Sequence, residues 1–322
     1  MKVSADMGHQ FVKIHDGLQT LIFPAIVGEV FGNLMGEDDR DEIETPLGHW
    51  YVGETAATQS LTTVSGRDQS WAVQPEYRAL LLFGIAALAA RSTNRLVVDL
   101  AIGLPIRDYR ENKDAIVSTL VGDFRVKAKI KGVTRSLIIS IRSVLALPQG
   151  FAPASPFLDL DATVATLDLG SRTINYATFR GVKLLDAKTD SNELGAMNML
   201  LQISSDIADK IGRVLAPLEV VKLLSGAAYN KRVMAHGKWF DASEIIARNT
   251  NSYSRSVLGT MSLAWGDIID EISRIIVVGG GAYVAGGAIK EKYPDQAVIP
   301  NLSQIATVIS QYEYLDRKVS IR

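Results

Sequence analysis

The chain has 322 residues, 47 % hydrophobic and 21 % charged, with 34 Lys+Arg against 35 Asp+Glu. That length suits two domains with separate cores, and that balance belongs to a soluble globular protein, so charge-driven binding of nucleic acid over a broad surface is not expected. Cysteine is absent, which removes disulfides, thiolate catalysis and cysteine-based metal sites, and the longest apolar stretch, Ala79 to Ala90, falls short of the roughly 20 residues of a bilayer span, so a cytoplasmic chain with no membrane partner is expected.

Val3 to Ala5 reads as a strand running into Asp6-Met7-Gly8-His9-Gln10, and Phe11 to Ile14, through Lys13, as the strand that returns, with Asp16-Gly17 as a second tight turn. Gly36 to Asp41 is acidic and predicts an exposed loop, while the Ser-, Thr- and Gly-rich segment from Trp50 to Ser70 has no clear period. Pro75 stands at a helix start, and residues 75–91 follow as a nearly all-apolar, buried helix. Leu96 to Pro105 predicts a buried strand, and Glu111 to Leu120 a helix stopped by Gly122.

Phe124, Val126, Ala128 and Ile130 alternate with Arg125, Lys127, Lys129 and Lys131, and after Gly132 the period of two resumes at Leu137, Ile139 and Ile141; this predicts a hairpin whose lysines form a solvated face. Pro148 to Pro156, rich in proline and small residues, marks a crossover into a second half. Val164 to Asp168, a turn, and Ile174 to Phe179 repeat the opening hairpin. Helical patterns over 193–213, 219–224 and 251–272 lead to a strand Ile275 to Val278, three glycines, and a helix through Lys292. The tail Asp316 to Arg322 is short and basic and reads as a solvated terminus, and the alternation of strands and helices predicts an α/β class.

One strand–Asp-x-Gly–strand hairpin is most simply ordinary structure. Two, half a chain apart, predict two similar halves. Gly8 and Gly170 free backbone N–H groups to face phosphate oxygens, and Asp6 and Asp168 stand where each can hold Mg²⁺ through its waters. Lys13 can neutralise a β- or γ-phosphate. Gly279-Gly280-Gly281, between a strand and a helix, lets a base or ribose lie on bare backbone, although it forms neither a P-loop nor a complete dinucleotide fingerprint. His9, His15, His49 and His236 have no metal-ligand spacing.

In this order, with Ile102-Gly103-Leu104-Pro105 between the first two, these motifs resemble the actin, sugar-kinase and heat-shock-chaperone ATPase superfamily, and within it the ParM-type plasmid-segregation actins and archaeal single-chain actin-like ATPases. The resemblance covers nearly the whole chain. It implies an α/β actin-like fold of two similar, ribonuclease-H-like domains with a nucleotide cleft between them: domain I at residues 1–152, completed by a C-terminal helix at 303–322, and domain II at 153–302. Asp6 through Lys13, with Gly8, His9 and Gln10, would be the first phosphate hairpin; Asp168 with Gly170, Ser171, Arg172 and Thr173 the second; Gly279 to Gly281 the adenosine turn; and Gly195 a neighbour of the ribose.

Gln149 falls where such actins orient the attacking water, a task a neutral amide performs without a shifted pKa, so the implied catalytic set is Gln149, Asp168 and Asp6. His9-Gln10 departs from the family's Ser/Thr-rich turn, and Arg172 and Asn175 depart from its second hairpin, which leaves Arg172 as either a phosphate contact or a solvated turn residue. The implied activity is hydrolysis of ATP, with GTP as the alternative nucleotide, using Mg²⁺ and coupled to head-to-tail self-association into filaments. The implied role is plasmid or other DNA segregation through a separate DNA-binding adaptor. A small-molecule kinase or phosphatase is disfavoured by Gln149, which has no second carboxylate close to it in sequence. A non-polymerising chaperone or reactivating factor is disfavoured because no separate substrate-binding domain follows the core.

Overall fold

The computed structural model of the protein describes residues 1–30, 39–65, 71–90, 93–159, 161–225 and 229–320. Half of the loop expected at Gly36 to Asp41, residues 36–38, lies outside the described residues, as do residues 66–70 of the unassigned segment, the last residue of the predicted 75–91 helix and the final two residues of the tail. The chain divides into unit 1, Met1–Pro156 with Ile305–Arg322, and unit 2, Phe157–Gln304.

Unit 1 runs through β1 (Lys2–Met7), β2 (Phe11–His15), β3 (Thr20–Pro24), β4 (Ile26–Glu29), β5 (Glu42–Thr45), β6 (Gly48–Val52), α1 (Gly53–Gln59), β7 (Thr63–Ser65), α2 (Pro75–Leu88), β8 (Arg95–Leu104), α3 (Ile106–Glu111), α4 (Lys113–Leu120), β9 (Gly122–Ile130), β10 (Val133–Pro148) and α5 (Phe151–Ala154). The strands form one sheet in the order β3-β2-β1-β8-β10-β9-β5-β6-β4-β7, with β1, β8 and β10 parallel. Parallel neighbours need long crossovers, and α2, apolar on nearly every side and buried from Tyr77 to Leu88, packs in the core between β1 and β8 in sequence.

Two sequence expectations change here. The helix predicted over Glu111 to Leu120 is two short helices broken at Asn112, and Gly122 opens β9 at φ +142°. The β9 lysines do more than face water: β9 is an inner strand whose Lys127 and Lys129 stand opposite Glu44 and Glu42 of β5, with Lys127 Nζ 3.1 Å from Glu44 Oε2. The intervening pair, Ala128 and Ile43, is buried on the opposite face.

Unit 2 contains β11 (Thr163–Leu169), β12 (Ile174–Arg180), β13 (Lys183–Leu184), β14 (Asp190–Asn192), α6 (Ala196–Ile211), α7 (Pro217–Leu224), β15 (Arg232–Ala235), β16 (Lys238–Asp241), α8 (Ser243–Trp265), β17 (Ile272–Val278), α9 (Ala282–Lys292) and β18 (Ala297–Val298). Its main sheet has the order β13-β12-β11-β17-β18, with β14 on β12, while β15 and β16 form a separate hairpin that the sequence patterns do not announce. The helix predicted over 251–272 is α8, which starts eight residues earlier at Ser243, where Asp241 Oδ1 accepts the Ser243 N–H at 2.9 Å, and ends at Trp265. Trp265 is fully buried and donates to Thr178 Oγ1 at 2.9 Å, which ties α8 to β12.

The two main sheets share a strand order. In each, an antiparallel hairpin is followed by two parallel neighbours: β2-β1-β8-β10 in unit 1 and β12-β11-β17-β18 in unit 2. The repeat seen in two short motifs is a repeat of sheet topology.

The last helix, α10 (Ser303–Ser320), takes the place of the solvated tail expected from Asp316 onward. It lies along β1: Ser4 Oγ donates to Val308 O at 2.6 Å and Lys2 Nζ to Asp316 Oδ1 at 2.7 Å. Arg317 Nη2 also donates to Ser155 Oγ at 3.1 Å. Among the described residues, no helix is long and apolar enough to cross a membrane.

Candidate functional site

In a parallel α/β sheet, ligands are taken at the carboxyl ends of the strands. The predicted residues lie at those ends in each unit.

In unit 1, β1 and β2 set Asp6 opposite Lys13, and Lys13 Nζ donates to Asp6 Oδ2 at 2.7 Å with the two residues only 6 % and 9 % exposed. A buried ion pair of this kind holds each partner in place, because removing either leaves an uncompensated charge. A β-carbon on Gly8 would lie 2.8 Å from Phe11 O and 3.4 Å from Lys13 Nζ, so glycine is what lets the turn close over the ammonium. Gln10 O accepts the Ala25 N–H at 2.9 Å, and its side-chain Nε2 is buried without an acceptor among the described residues, a donor suited to an oxygen-rich ligand. His9 is partly exposed at the same turn.

The neighbouring strand ends bring in Gln149. β10 pairs Leu147 with Gly103 and Pro148 with Leu104, and the Gln149 N–H extends that ladder to Leu104 O at 2.8 Å before Gly150, at φ +90°, turns the chain. A β-carbon on Gly103 would lie 3.7 Å from Gln149 Cγ and would overlap the side chain of Gln311 from α10. With its amide oriented to satisfy both ends, Gln311 donates to Ala5 O at 3.2 Å and accepts from the Gly103 N–H at 3.2 Å. The residue before Asp6 and the strand beside Gln149 are thus held by one buried amide. Nearby, burial and then the charges of Asp6 and Asp108 push the Tyr77 phenol well above its ordinary pKa, which keeps it a protonated donor.

In unit 2, β11 and β12 set Asp168 opposite Asn175, where unit 1 has an Asp and a Lys. The turn closes through Gly170 N–H to Thr173 O at 3.0 Å, and a β-carbon on Gly170 would lie 2.8 Å from that oxygen. The hairpin is bound to the start of α6: Arg172 O, Gly170 O and Ser171 O accept from the N–H groups of Gly195, Ala196 and Met197 at 3.0, 3.0 and 2.6 Å. A β-carbon on Gly195 would run into the backbone of Ser171 and Arg172, so this residue, expected beside a ribose, is required for packing the hairpin. Arg172 Nη2 donates to Glu193 Oε1 at 3.4 Å, and Asn175 Nδ2 to Thr173 Oγ1 at 3.2 Å.

The three glycines after β17 have separate tasks. Gly279, at φ +89°, passes close to Asp168, whose Oδ1 would stand 2.6 Å from an added β-carbon. Gly281 donates to Leu169 O at 2.9 Å and lies against the Tyr253 hydroxyl, 2.5 Å from the position of its missing β-carbon. Gly280 is exposed, with nothing among the described residues within 4 Å of that position, and is the one of the three whose bare backbone faces open space. Burial first, and the charge of Asp168 second, push the Tyr253 phenol up.

Among the described residues no group of three or more His, Asp or Glu side chains could hold a metal ion. Mg²⁺ needs no such cage, since it retains waters and is held by one or two carboxylates together with phosphates. The chain's own geometry divides the two candidate ligands. Asp6 already accepts from the Lys13 ammonium, which repels a divalent cation, whereas Asp168 stands opposite the neutral Asn175 and against Gly279. Sequence reasoning missed Gln311, Tyr77 and Tyr253, because a polar residue in an otherwise buried helix announces no direction until the helix is packed.

Comparison with known proteins supplies a family. Residues 4–151 match the actin like proteins N terminal domain, and residues 166–291 the archaeal actin homologue MreB-like, C-terminal domain. No curated protein matches the chain by sequence. Among solved structures it is similar to Ta0583, an archaeal actin homologue crystallised in complex with ADP (17 % identity, TM-score 0.80, covering 98 % of this chain and 99 % of that one). It is also similar to ParM from a 15-stranded Clostridium botulinum filament (17 %, TM-score 0.80, 98 % and 99 % covered) and to Bacillus thuringiensis ParM with AMPPNP (17 %, TM-score 0.78, 98 % of each).

Proposed function

This chain is an actin-like protein, and from that premise we propose that it binds and hydrolyses ATP with Mg²⁺ and couples the hydrolysis to head-to-tail assembly of its own copies into filaments. The observation that carries the reading is the matched pair of hairpins at equivalent sheet positions, each with a buried aspartate and a glycine turn too close-packed for any side chain. Relatives solved with ADP and with AMPPNP, and one in a filament, support nucleotide use and self-association.

In this reading residues 1–152 with residues 303–322 form domain I and residues 153–302 domain II. Lys13, aimed by Asp6, neutralises phosphate charge, and the N–H groups of the two turns take phosphate oxygens. Gln149 orients a water for in-line attack, so that the protein contributes placement and charge stabilisation and no covalent step. Bound Mg²⁺, received at Asp168, would neutralise charge on the phosphates. Segregation or positioning of plasmid or other DNA through a DNA-binding adaptor, in the cytoplasm, is the role that fits best. The near-neutral charge favours an adaptor over direct DNA contact.

The test is pelleting and electron microscopy with ATP, ADP and a non-hydrolysable analogue, with phosphate release followed in parallel. Polymer with ATP and phosphate release are expected, with release abolished in Asp168→Ala and slowed in Gln149→Ala while binding is spared. Absence of polymer under every nucleotide, together with phosphate transfer to a sugar or acid, would replace this reading with a kinase.

A further inference from the structure

Tyr253 stands apart from its neighbours on α8. The other buried polar side chains there have partners: Asn249 donates to Asp206 Oδ2 at 2.7 Å, Ser254 to Thr250 O at 2.9 Å and Trp265 to Thr178 Oγ1 at 2.9 Å. The Tyr253 hydroxyl has none among the described residues, although the residue is only 6 % exposed. Phenylalanine would fill the same volume without an orphaned hydroxyl, so packing alone does not account for this oxygen.

Its surroundings say what it serves. The hydroxyl rests against Gly281, whose N–H donates to Leu169 O at 2.9 Å, and Leu169 directly follows Asp168. The Asp168 carboxylate in turn rests against Gly279, two residues before Gly281. A carboxylate and a protonated phenol therefore flank one glycine turn at the end of β17, and the charge of the first reaches the second. A water between two such groups has a donor on one side and an acceptor on the other.

Resting on the nucleotide reading above, we propose that Tyr253 is a positioning residue for Asp168: with nucleotide and Mg²⁺ bound, its hydroxyl donates to a water shared with the Asp168 carboxylate and fixes the orientation in which that carboxylate receives the hydrated ion. Outer partners of this kind tune metal affinity about 10- to 100-fold.

The experiment is a Mg²⁺ titration of fluorescent-ATP binding in the full chain and in Tyr253→Phe. The Mg²⁺ concentration at half-maximal tightening should rise ~10-fold in Y253F, with affinity in EDTA unchanged and the melting temperature of the nucleotide-free protein equal or higher. In an Asp168→Asn background the same substitution should add nothing further. Superimposable Mg²⁺ titrations overturn the proposal, and so does a lowered melting temperature in nucleotide-free Y253F, which would mean that the hydroxyl serves the fold. A wild-type chain that binds no nucleotide removes the functional reading and this one together, whereas normal binding with unchanged Mg²⁺ dependence removes this one alone.

Discussion

Lys13 and Asp6 face each other across β1 and β2 at 2.7 Å, whereas the equivalent pair in unit 2 is Asn175 and Asp168. The residue opposite the aspartate is a cation in one hairpin and a neutral amide in the other. Lys13→Met strands a buried carboxylate and should lower stability by about 3 kcal/mol, read from denaturant midpoints. Adding Asp6→Asn should recover most of that loss without recovering ATP binding. Equal midpoints for wild type and K13M would mean that the pair does not hold the hairpin.

The glycines after β17 should separate in the same assay. Gly279→Ala places a β-carbon against Asp168 and Leu169 at a left-handed φ and should destabilise by about 3 kcal/mol. Gly280→Ala meets nothing and should change stability by less than about 0.5 kcal/mol while weakening nucleotide binding. The reverse order would show that the turn is held differently.

Gly195→Ala should detach the second hairpin from α6, because its β-carbon would occupy the space of the Ser171 and Arg172 backbone. Faster amide exchange at Ala196 and Met197, with weaker ATP binding, is the expected outcome. Unchanged protection at those two N–H groups would contradict it.

Asp206 links α6 to α8 through Asn249 and Arg248 and accepts a further bond from Gln202 of its own helix, and these hydrogen bonds, Asn249's the largest, hold its carboxyl below the usual 3.8. A depressed pKa contributes stability that is present above the unfolded value and lost as pH falls through the folded one. Asp206→Asn should therefore melt lower than wild type at pH 7, by about 2 kcal/mol, with the gap closing as the pH drops below 3.8. A gap independent of pH would assign the loss to packing instead.

What could be read from the chain alone followed from local chemistry. Asp6-x-Gly8 and Asp168-x-Gly170 are legible because a tight turn next to a carboxylate needs those residues in adjacent positions. The nearly all-apolar α2 and the three glycines after β17 are legible because each signal is contiguous in sequence. The start of α8 was hidden, since Arg248-Asn249-Thr250-Asn251-Ser252 interrupts the apolar period although Asn249 is buried against Asp206. The Lys127–Glu44 and Lys129–Glu42 pairs join segments some eighty residues apart, and no local pattern records which strand lies beside β9. The different tasks of Gly279, Gly280 and Gly281 depend on Leu169 and Tyr253, which adjoin them only after folding.

The position of α10 beside β1 also sets an order of events during synthesis. Ribosomes deliver residues 157–304 before residues 305–320, so unit 2 can close its core while the Ser4 hydroxyl and the N–H of Gly103 still await Val308 and Gln311. The first unit to emerge is therefore the last to be completed, and until then the strand that carries Asp6 lacks its covering helix.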